Sequence, residues 1–341
     1  MARPDLTIVA PWLCKSDWTS IVFDDLTRLI LHQGLSFNSV IGLRIGKKRK
    51  ALLKEPFAYL GPKLKVIEKI VQCAKNNILA DNIIVLDSSF VNMKVLRYVA
   101  GKDKTITCFV NGGVFQNHDL DRQSLDQYVN NLLDYEYGHY SLVDRIILPS
   151  KYALRIFLDN YPNLKTKSFC NYYSLPSDYF IESSFLSKKG CLFPSRNCFE
   201  KGFDVIRELN KQNVKIDLIN EFNNNVFRRL LGKYKVVLIP ARAELFGFCA
   251  IEAILAGSIP IVSRGLSYDE LINIPDSLKI SLPIGPQTIK EIKAIINTVN
   301  CYSQKKYENV VNVARSHLIK VLSDERSSFD SGIKSTMYER K

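Results

Sequence analysis

Residues 240–263 read PARAELFGFCAIEAILAGSIPIVS. The run VVLIPA, which enters this stretch, is short, β-branched and apolar, as a buried strand requires. RAELFG is too polar and glycine-bearing to continue it and reads as a loop. FGFCAIEAILAG then carries apolar residues on nearly every face, the pattern of a helix packed on several sides. Gly257 and Pro260 supply its stop signals, and SIPIVS returns to strand. Strand, loop, helix and strand in so few residues define a βαβ unit of a parallel sheet. Two glutamates, Glu244 and Glu252, stand eight positions apart within it. Glu244 falls between the strand's carboxyl end and the helix start, and Glu252 falls in the helix's first turns. Each has a bland reading, a solvated loop acid and a wet helix face. Each also has a sharper one, a carboxylate turned toward a hydroxyl-rich ligand.

Outward from this unit the same alternation fills the chain. Toward the N-terminus LTIVAP, FNSVIGLR, NIIVLDSS, TITCFVNGG and DRIILPS read as strands. Between them SDWTSIVFDDLTRLILHQG, KVIEKIVQCAKNN, MKVLRYVAGK and QSLDQYVNNLLDYEYGHYSLV have helical spacing. After residue 190 GCLFPSR, KGFDVIRELNKQ, VKIDLIN and NVFRRLLGKY continue strand, helix, strand, helix. Residues 287–323 read mostly as helix. The pattern weakens over 161–190, which is rich in Ser, Lys, Tyr and Pro, as a connection between domains is. With 341 residues the chain exceeds what one core usually supports. The expected organisation is 1–175 as an N-terminal Rossmann-like domain, 176–325 as a second, and 326–341 as a segment crossing back to the first.

Composition narrows the function classes. Apolar residues make up 46% and charged residues 24%, the balance of a folded globular protein. No apolar run approaches the roughly 20 residues of a membrane-spanning helix, and MARPDLTIVAPWLC is too short in its apolar core for a secretory signal. A cytoplasmic location is expected. The eight cysteines show no CxxC pair and the four histidines are dispersed, so neither a disulfide framework nor a metal site is expected. GxGxxG and Walker A patterns are absent. The net charge of +13 gathers in RIGKKRKALLK, residues 44–54, and in the GPKLK that follows. Such a stretch suits a solvated basic face, then an anionic membrane surface through residues 44–65, then nucleic acid. No interleaved aromatic platform supports the last.

A second chemistry-bearing stretch is FPSRNCFEKGFD, residues 193–204. Arg196 ends a strand, Lys201 precedes a helix, and Gly202 lets backbone approach a ligand. Two cations beside a helix N-terminus suit a diphosphate. The plain alternative is a pair of surface cations bracketing a turn.

Together SRNCFEKGFDV and PARAELFGFCAIEAILAGSIPIVS resemble the C-terminal domain of the retaining glycosyltransferases of GT-B fold, the "glycosyl transferases group 1" family (family-four-like). That family shows Arg, four residues, then Lys-Gly. Further on it shows Pro-Ser-x-x-Glu-x-Phe-Gly-x-x-x-x-Glu-Ala, with Gly-x-Pro beyond. The Arg196–Lys201 spacing, Glu244, Phe246, Gly247, Glu252, Ala253, Gly257 and Pro260 match. The resemblance covers residues 190–270 well and the N-terminal half more loosely, through LVDRIILPSKYALRIFL and NYYSLPSDYF. It implies an α/β chain of two Rossmann-like domains facing a cleft, closed on a nucleotide-diphosphate sugar, UDP- or GDP-linked. It implies retaining transfer of a hexose to a glycan, a lipid-linked or another hydroxyl acceptor, by front-face displacement and without metal or other cofactor. Arg196 and Lys201 would bind the diphosphate, Glu244 the donor sugar and Glu252 the ribose. Phe246, Gly247 and Phe248 would line the donor pocket.

The sequence also departs from that pattern. Ala241 replaces the usual Ser. Between KGFDVIRELN and KVVLIPA there is room for one strand–helix unit where the family has two, so the C-terminal domain is trimmed. PWLCKSDWTS stands where the family has a glycine-rich loop. Asn111 follows the strand TITCFV where a histidine is usual, and His118 lies seven residues on; either is a candidate contact to donor sugar or acceptor. Two other readings accompany the enzyme: a non-catalytic binding or regulatory protein of the same fold, and a basic glycosyltransferase associated with nucleic acid.

Overall fold

The computed structural model describes residues 4–14, 18–45, 60–86, 91–113, 115–116, 126–173, 184–195, 198–219 and 224–338. The chain forms two compact units, Met1–Leu175 together with Glu325–Lys341, and Pro176–Asp324.

The first unit is built on β1 (Leu6–Cys14), β2 (Phe37–Ile45), β3 (Asn82–Leu86), β4 (Thr105–Phe109), β5 (Arg145–Leu148) and β6 (Ser168–Cys170). They form one sheet in the order β2-β1-β3-β4-β5-β6, every pair parallel. Helices α1 (Trp18–His32), α2 (Leu60–Lys75), α3 (Met93–Ala100), α4 (Asp126–Tyr140) and α5 (Lys151–Asn160) follow successive strands. NIIVL and TITCF are buried after their first residue, which is why they read as continuous apolar runs rather than as alternation. Local chemistry marks the helix starts. Asn92 accepts from the Val95 amide at 3.1 Å, and Ser150 from the Ala153 amide at 2.9 Å.

The second unit repeats the plan. Strands β7 (Cys191–Phe193), β8 (Ile216–Leu218), β9 (Val236–Ile239), β10 (Ile259–Ser263) and β11 (Lys279–Ile280) lie in the order β8-β7-β9-β10-β11, again all parallel. Helices α6 (Phe203–Lys211), α7 (Asn224–Leu231), α8 (Phe248–Leu255), the single turn α9 (Tyr268–Leu271) and α10 (Pro286–Asn300) connect and flank them. The long α11 (Gln304–Tyr338) ends the described chain. LKISLPI, expected as a strand, contributes only the two residues of β11. Between α6 and β9 the described residues hold one strand–helix pair, β8 and α7.

In both units the first strand lies between the second and the third. The connections therefore leave in opposite directions from β1 and β3, and from β7 and β9. At such a reversal the loops beyond the strands' carboxyl ends part and leave a crevice, which is where open parallel sheets bind ligands. For the second unit the described residues beyond those ends are 194–195, 198–202 and 240–247, within the two stretches singled out above.

The helix between β9 and β10 is buried on nearly all sides. Ala250, Ile251, Glu252, Ala253, Ile254 and Leu255 are all buried. Ile251, Ile254 and Leu255 alone contribute about 1.5–3 kcal/mol each by leaving water. Its carboxyl end is tied down by three side chains. Lys188 Nζ donates to the carbonyls of Ala256 at 3.1 Å and Gly232 at 2.6 Å. Arg315 donates to those of Ile254 and Leu255 at 3.4 and 3.3 Å, and Tyr307 Oη to that of Gly257 at 3.2 Å. Cations are favoured there because the final turn exposes unpaired carbonyls and carries partial negative charge.

Candidate functional site

The site begins with two glycines that only glycine's backbone permits. Gly202 caps α6 at φ 77°, and a Cβ there would overlap the Pro240 carbonyl oxygen. The loop after β7 therefore presses directly onto the loop after β9. Gly247 caps α8 at φ 86°, and a Cβ there would stand 2.5 Å from Cε1 of the Tyr268 ring. Close backbone approach at both points draws together side chains that follow different strands.

Arg242 stitches the same loops together. Its guanidinium makes two 2.8 Å bonds to Asp204 and one of 2.7 Å to the Phe199 carbonyl. It also lies 3.8 Å from the centre of the Phe199 ring. Burial would raise the Asp204 pKa, but the bidentate guanidinium outweighs it and holds the carboxyl below its ordinary range. Neither Arg242 nor Asp204 stands out in the sequence, because a surface-type Arg and Asp 38 residues apart announce no partnership.

Inside this frame Lys201 Nζ meets Glu244 Oε2 at 2.9 Å. Glu244 Oε1 accepts from the Gly247 amide at 3.2 Å. Burial pushes the Glu244 pKa up, and the Lys201 charge with the amides of Phe246 and Gly247 more than offsets it, so the carboxyl sits below its usual value. Glu244 is thus an ionised acid with defined partners at the start of α8, not a solvated loop residue. Phe246 is 1% exposed and packs edge-on against Phe248, the first residue of α8, with centroids 4.8 Å apart.

Glu252 is only 7% exposed, which excludes the wet-face reading. Its Oε1 is 3.4 Å from Nε of Arg228 on α7, and both side chains are 8% exposed. Sequence reading did not single out Arg228 as a partner of Glu252. The signal available was an arginine three residues before Leu231, on the helix's apolar side. Between the two glutamates lies Cys249. Burial first, then the charges of Glu252 and Glu244, push its thiol up to about 12, against Lys201 and a hydrogen bond with Ser195. It remains a protonated thiol at neutral pH.

In the first unit Asn111 lies two residues beyond the carboxyl end of β4 and is half-buried. The loop it opens is held by Glu136 of α4, whose Oε2 accepts from the Phe115 amide at 3.3 Å and from Tyr161 Oη at 2.8 Å. Arg196 and His118 lie outside the described residues, as does 46–59, the larger part of the basic stretch. Among the described residues no helix is long and apolar enough to cross a membrane. No group of three or more His, Cys, Asp or Glu there is placed to hold a metal ion.

No protein-family profile matches this chain, and no curated protein sequence matches it. Solved structures do match. WaaG, a glycosyltransferase involved in lipopolysaccharide biosynthesis, superposes with a TM-score of 0.68 at 12% identity, over 95% of this chain and 98% of that one. HepE of Anabaena, solved with UDP and glucose, gives 0.64 at 12% identity over 96% and 100%. A trehalose 6-phosphate synthase from Burkholderia multivorans gives 0.65 at 12% identity over the full length of both. At such identities the likeness establishes architecture, and the chain has the GT-B fold, two Rossmann-like domains with parallel sheets.

Proposed function

We propose that this protein is a retaining glycosyltransferase that moves a hexose from a UDP- or GDP-linked donor to a hydroxyl of a glycan or lipid-linked acceptor. The observation that carries the reading is the meeting of Lys201 and Glu244 at the carboxyl ends of β7 and β9, beside the amide-bearing start of α8. A nucleotide-sugar presents a diphosphate next to a ring of hydroxyls. An ammonium and an ionised carboxylate side by side complement that alternation of charge.

On this reading Lys201 and Arg196 take the diphosphate, and Glu244 accepts from donor-sugar hydroxyls. Glu252, held by Arg228, serves the ribose. Phe246, Gly247 and Phe248 shape the pocket, with Asn111 and His118 toward the sugar or acceptor. The bond from the anomeric carbon to the phosphate oxygen breaks, and the acceptor oxygen bonds to that carbon on the same face. The acceptor's proton passes to the leaving phosphate. Lys201, Arg196 and the start of α8 offset the charge that gathers on the departing nucleotide, so the reading calls for no metal. The UDP and glucose in the HepE structure support a donor of this class. The basic stretch 44–65 would bring the enzyme to an anionic membrane surface that presents its acceptor.

Calorimetric titration with UDP, GDP, ADP and their hexose conjugates tests the proposal. One nucleotide series should bind. Lys201→Ala should weaken it by about 1.5–3 kcal/mol, the usual contribution of a charged hydrogen bond, and Glu252→Ala should weaken it as well. Absence of binding across all three series would sink the proposal.

A further inference from the structure

The loop that follows β10 carries polar atoms that the site described so far does not use. Ser263 and Ser267 are fully buried and Tyr268 is 1% exposed, yet none of the three hydroxyls has a hydrogen-bond partner among the described residues. Three such groups within six residues are unusual, since buried hydroxyls are ordinarily satisfied. Their place in the fold gives them a meaning. β10 lies directly beside β9, so the loop 263–268 neighbours the loop 240–247 at the same carboxyl edge of the sheet. The Tyr268 ring lies against Gly247, where any side chain at 247 would displace it. Burial, and then the charges of Glu244 and Cys249, raise the Tyr268 phenol well above its ordinary pKa. It therefore stays protonated and keeps a donor beside an ionised carboxylate.

We propose that Tyr268, with Ser263 and Ser267 behind it, forms the hydroxyl-reading floor of the pocket that Glu244 opens. Tyr268 Oη would reach a hydroxyl of the transferred hexose through one water shared with the serines, since the phenol itself is sealed from solvent. The inference rests on the donor reading above and deepens it. Glu244 can only accept hydrogen bonds, whereas a neutral phenol both donates and accepts. Together they discriminate the orientation of one sugar hydroxyl, which a carboxylate alone does not. Arg242, Asp204 and Phe199 are engaged with one another. Tyr268 is the group beside Glu244 whose polar atom the fold leaves unmet.

The test is a calorimetric comparison of wild type and Tyr268→Phe, which removes one oxygen and keeps the ring against Gly247. Each protein is titrated with UDP, GDP and ADP, and with the glucose, galactose and mannose conjugate of whichever nucleotide binds. Expected is an unchanged affinity for the bare nucleotide and a loss of about tenfold or more for the preferred sugar conjugate. The preference between epimeric sugars should narrow as well. Equal affinity of both proteins for nucleotide and conjugate alike would overturn the inference and leave the donor reading standing. Failure of the wild type to bind any nucleotide would overturn the donor reading, and this inference with it. Ser263→Ala with Ser267→Ala serves as a second variant. If it too leaves sugar discrimination intact, the floor has been placed wrongly. A thermal melt of each variant checks that it is folded.

Discussion

Lys201 and Glu244 are 43 residues apart in the chain, follow different strands, and meet at 2.9 Å with side chains only 15% and 22% exposed. Their contact exists because β7 and β9 are neighbours in the sheet although β8 intervenes in sequence. Removing either partner takes the opposite charge away from a partly buried group. A double-mutant cycle of Lys201→Met and Glu244→Gln should give a stabilising coupling of about 1–2 kcal/mol in urea unfolding at pH 7. The sign with pH follows from the lowered Glu244 value. The coupling is present above the ordinary carboxylate range and is lost as pH falls through the folded value. A coupling near zero at neutral pH would show that the pair does not hold the loops together.

The pair Arg228–Glu252 is more deeply buried and should behave differently. Arg228→Met takes the guanidinium away from a buried carboxylate and should destabilise the unit, by up to about 3–5 kcal/mol. Replacing both partners by apolar residues, Arg228→Met with Glu252→Leu, should recover most of that loss, because both buried charges are then gone. Under the proposed function the double variant is stable yet does not bind nucleotide. Guanidinium unfolding together with nucleotide titration separates the two contributions. If the single variant is as stable as wild type, the pair has no role in holding Glu252.

Gly202 and Gly247 predict a steric result. Alanine at either must adopt a left-handed backbone, which costs about 1–2 kcal/mol, and must also push aside the Pro240 carbonyl or the Tyr268 ring. Gly202→Ala faces rigid backbone and should be the worse of the two. Melting temperatures of the two variants rank them directly, and the reverse order would contradict the packing described here.

Lys188 gives a second pH dependence. Burial, and then the neighbouring Arg315 charge, lower its pKa from 10.5 to about 8. The unfolded chain therefore binds the extra proton between these values, and stability should rise with pH across that window. Relative to Lys188→Met, the wild type should gain about 2–3 kcal/mol between pH 8 and 10.5. Parallel stability curves for the two proteins would mean that the lysine titrates normally.

Much of the second unit was legible from residue order alone. VVLIPA, FGFCAIEAILAG and SIPIVS became β9, α8 and β10 because continuous apolar runs of those lengths are stable only as buried strands and a buried helix. Gly257 and Pro260 mark the end of α8 and the entry to β10, since the first adopts positive φ and the second cannot extend a helix. The motif residues Lys201, Gly202, Glu244 and Gly247 were readable because their spacing places them at strand ends and helix starts. Less was legible in LKISLPI, where a strand-like run yields two residues of strand. Its apolar composition serves packing rather than pairing.

Residue order alone carries the alternation of strand and helix and the presence of carboxylates and cations at helix starts. Those depend on local periodicity and on which backbone angles each residue tolerates. Which side chains meet is set by the three-dimensional packing. Sheet order, not chain order, brings Lys201 to Glu244, α7 brings Arg228 to Glu252, and the packing of Gly247 brings Tyr268 to the same edge. Such contacts arise between segments tens of residues apart. Their energies depend on burial and on what else shares the space, which the order of residues does not contain.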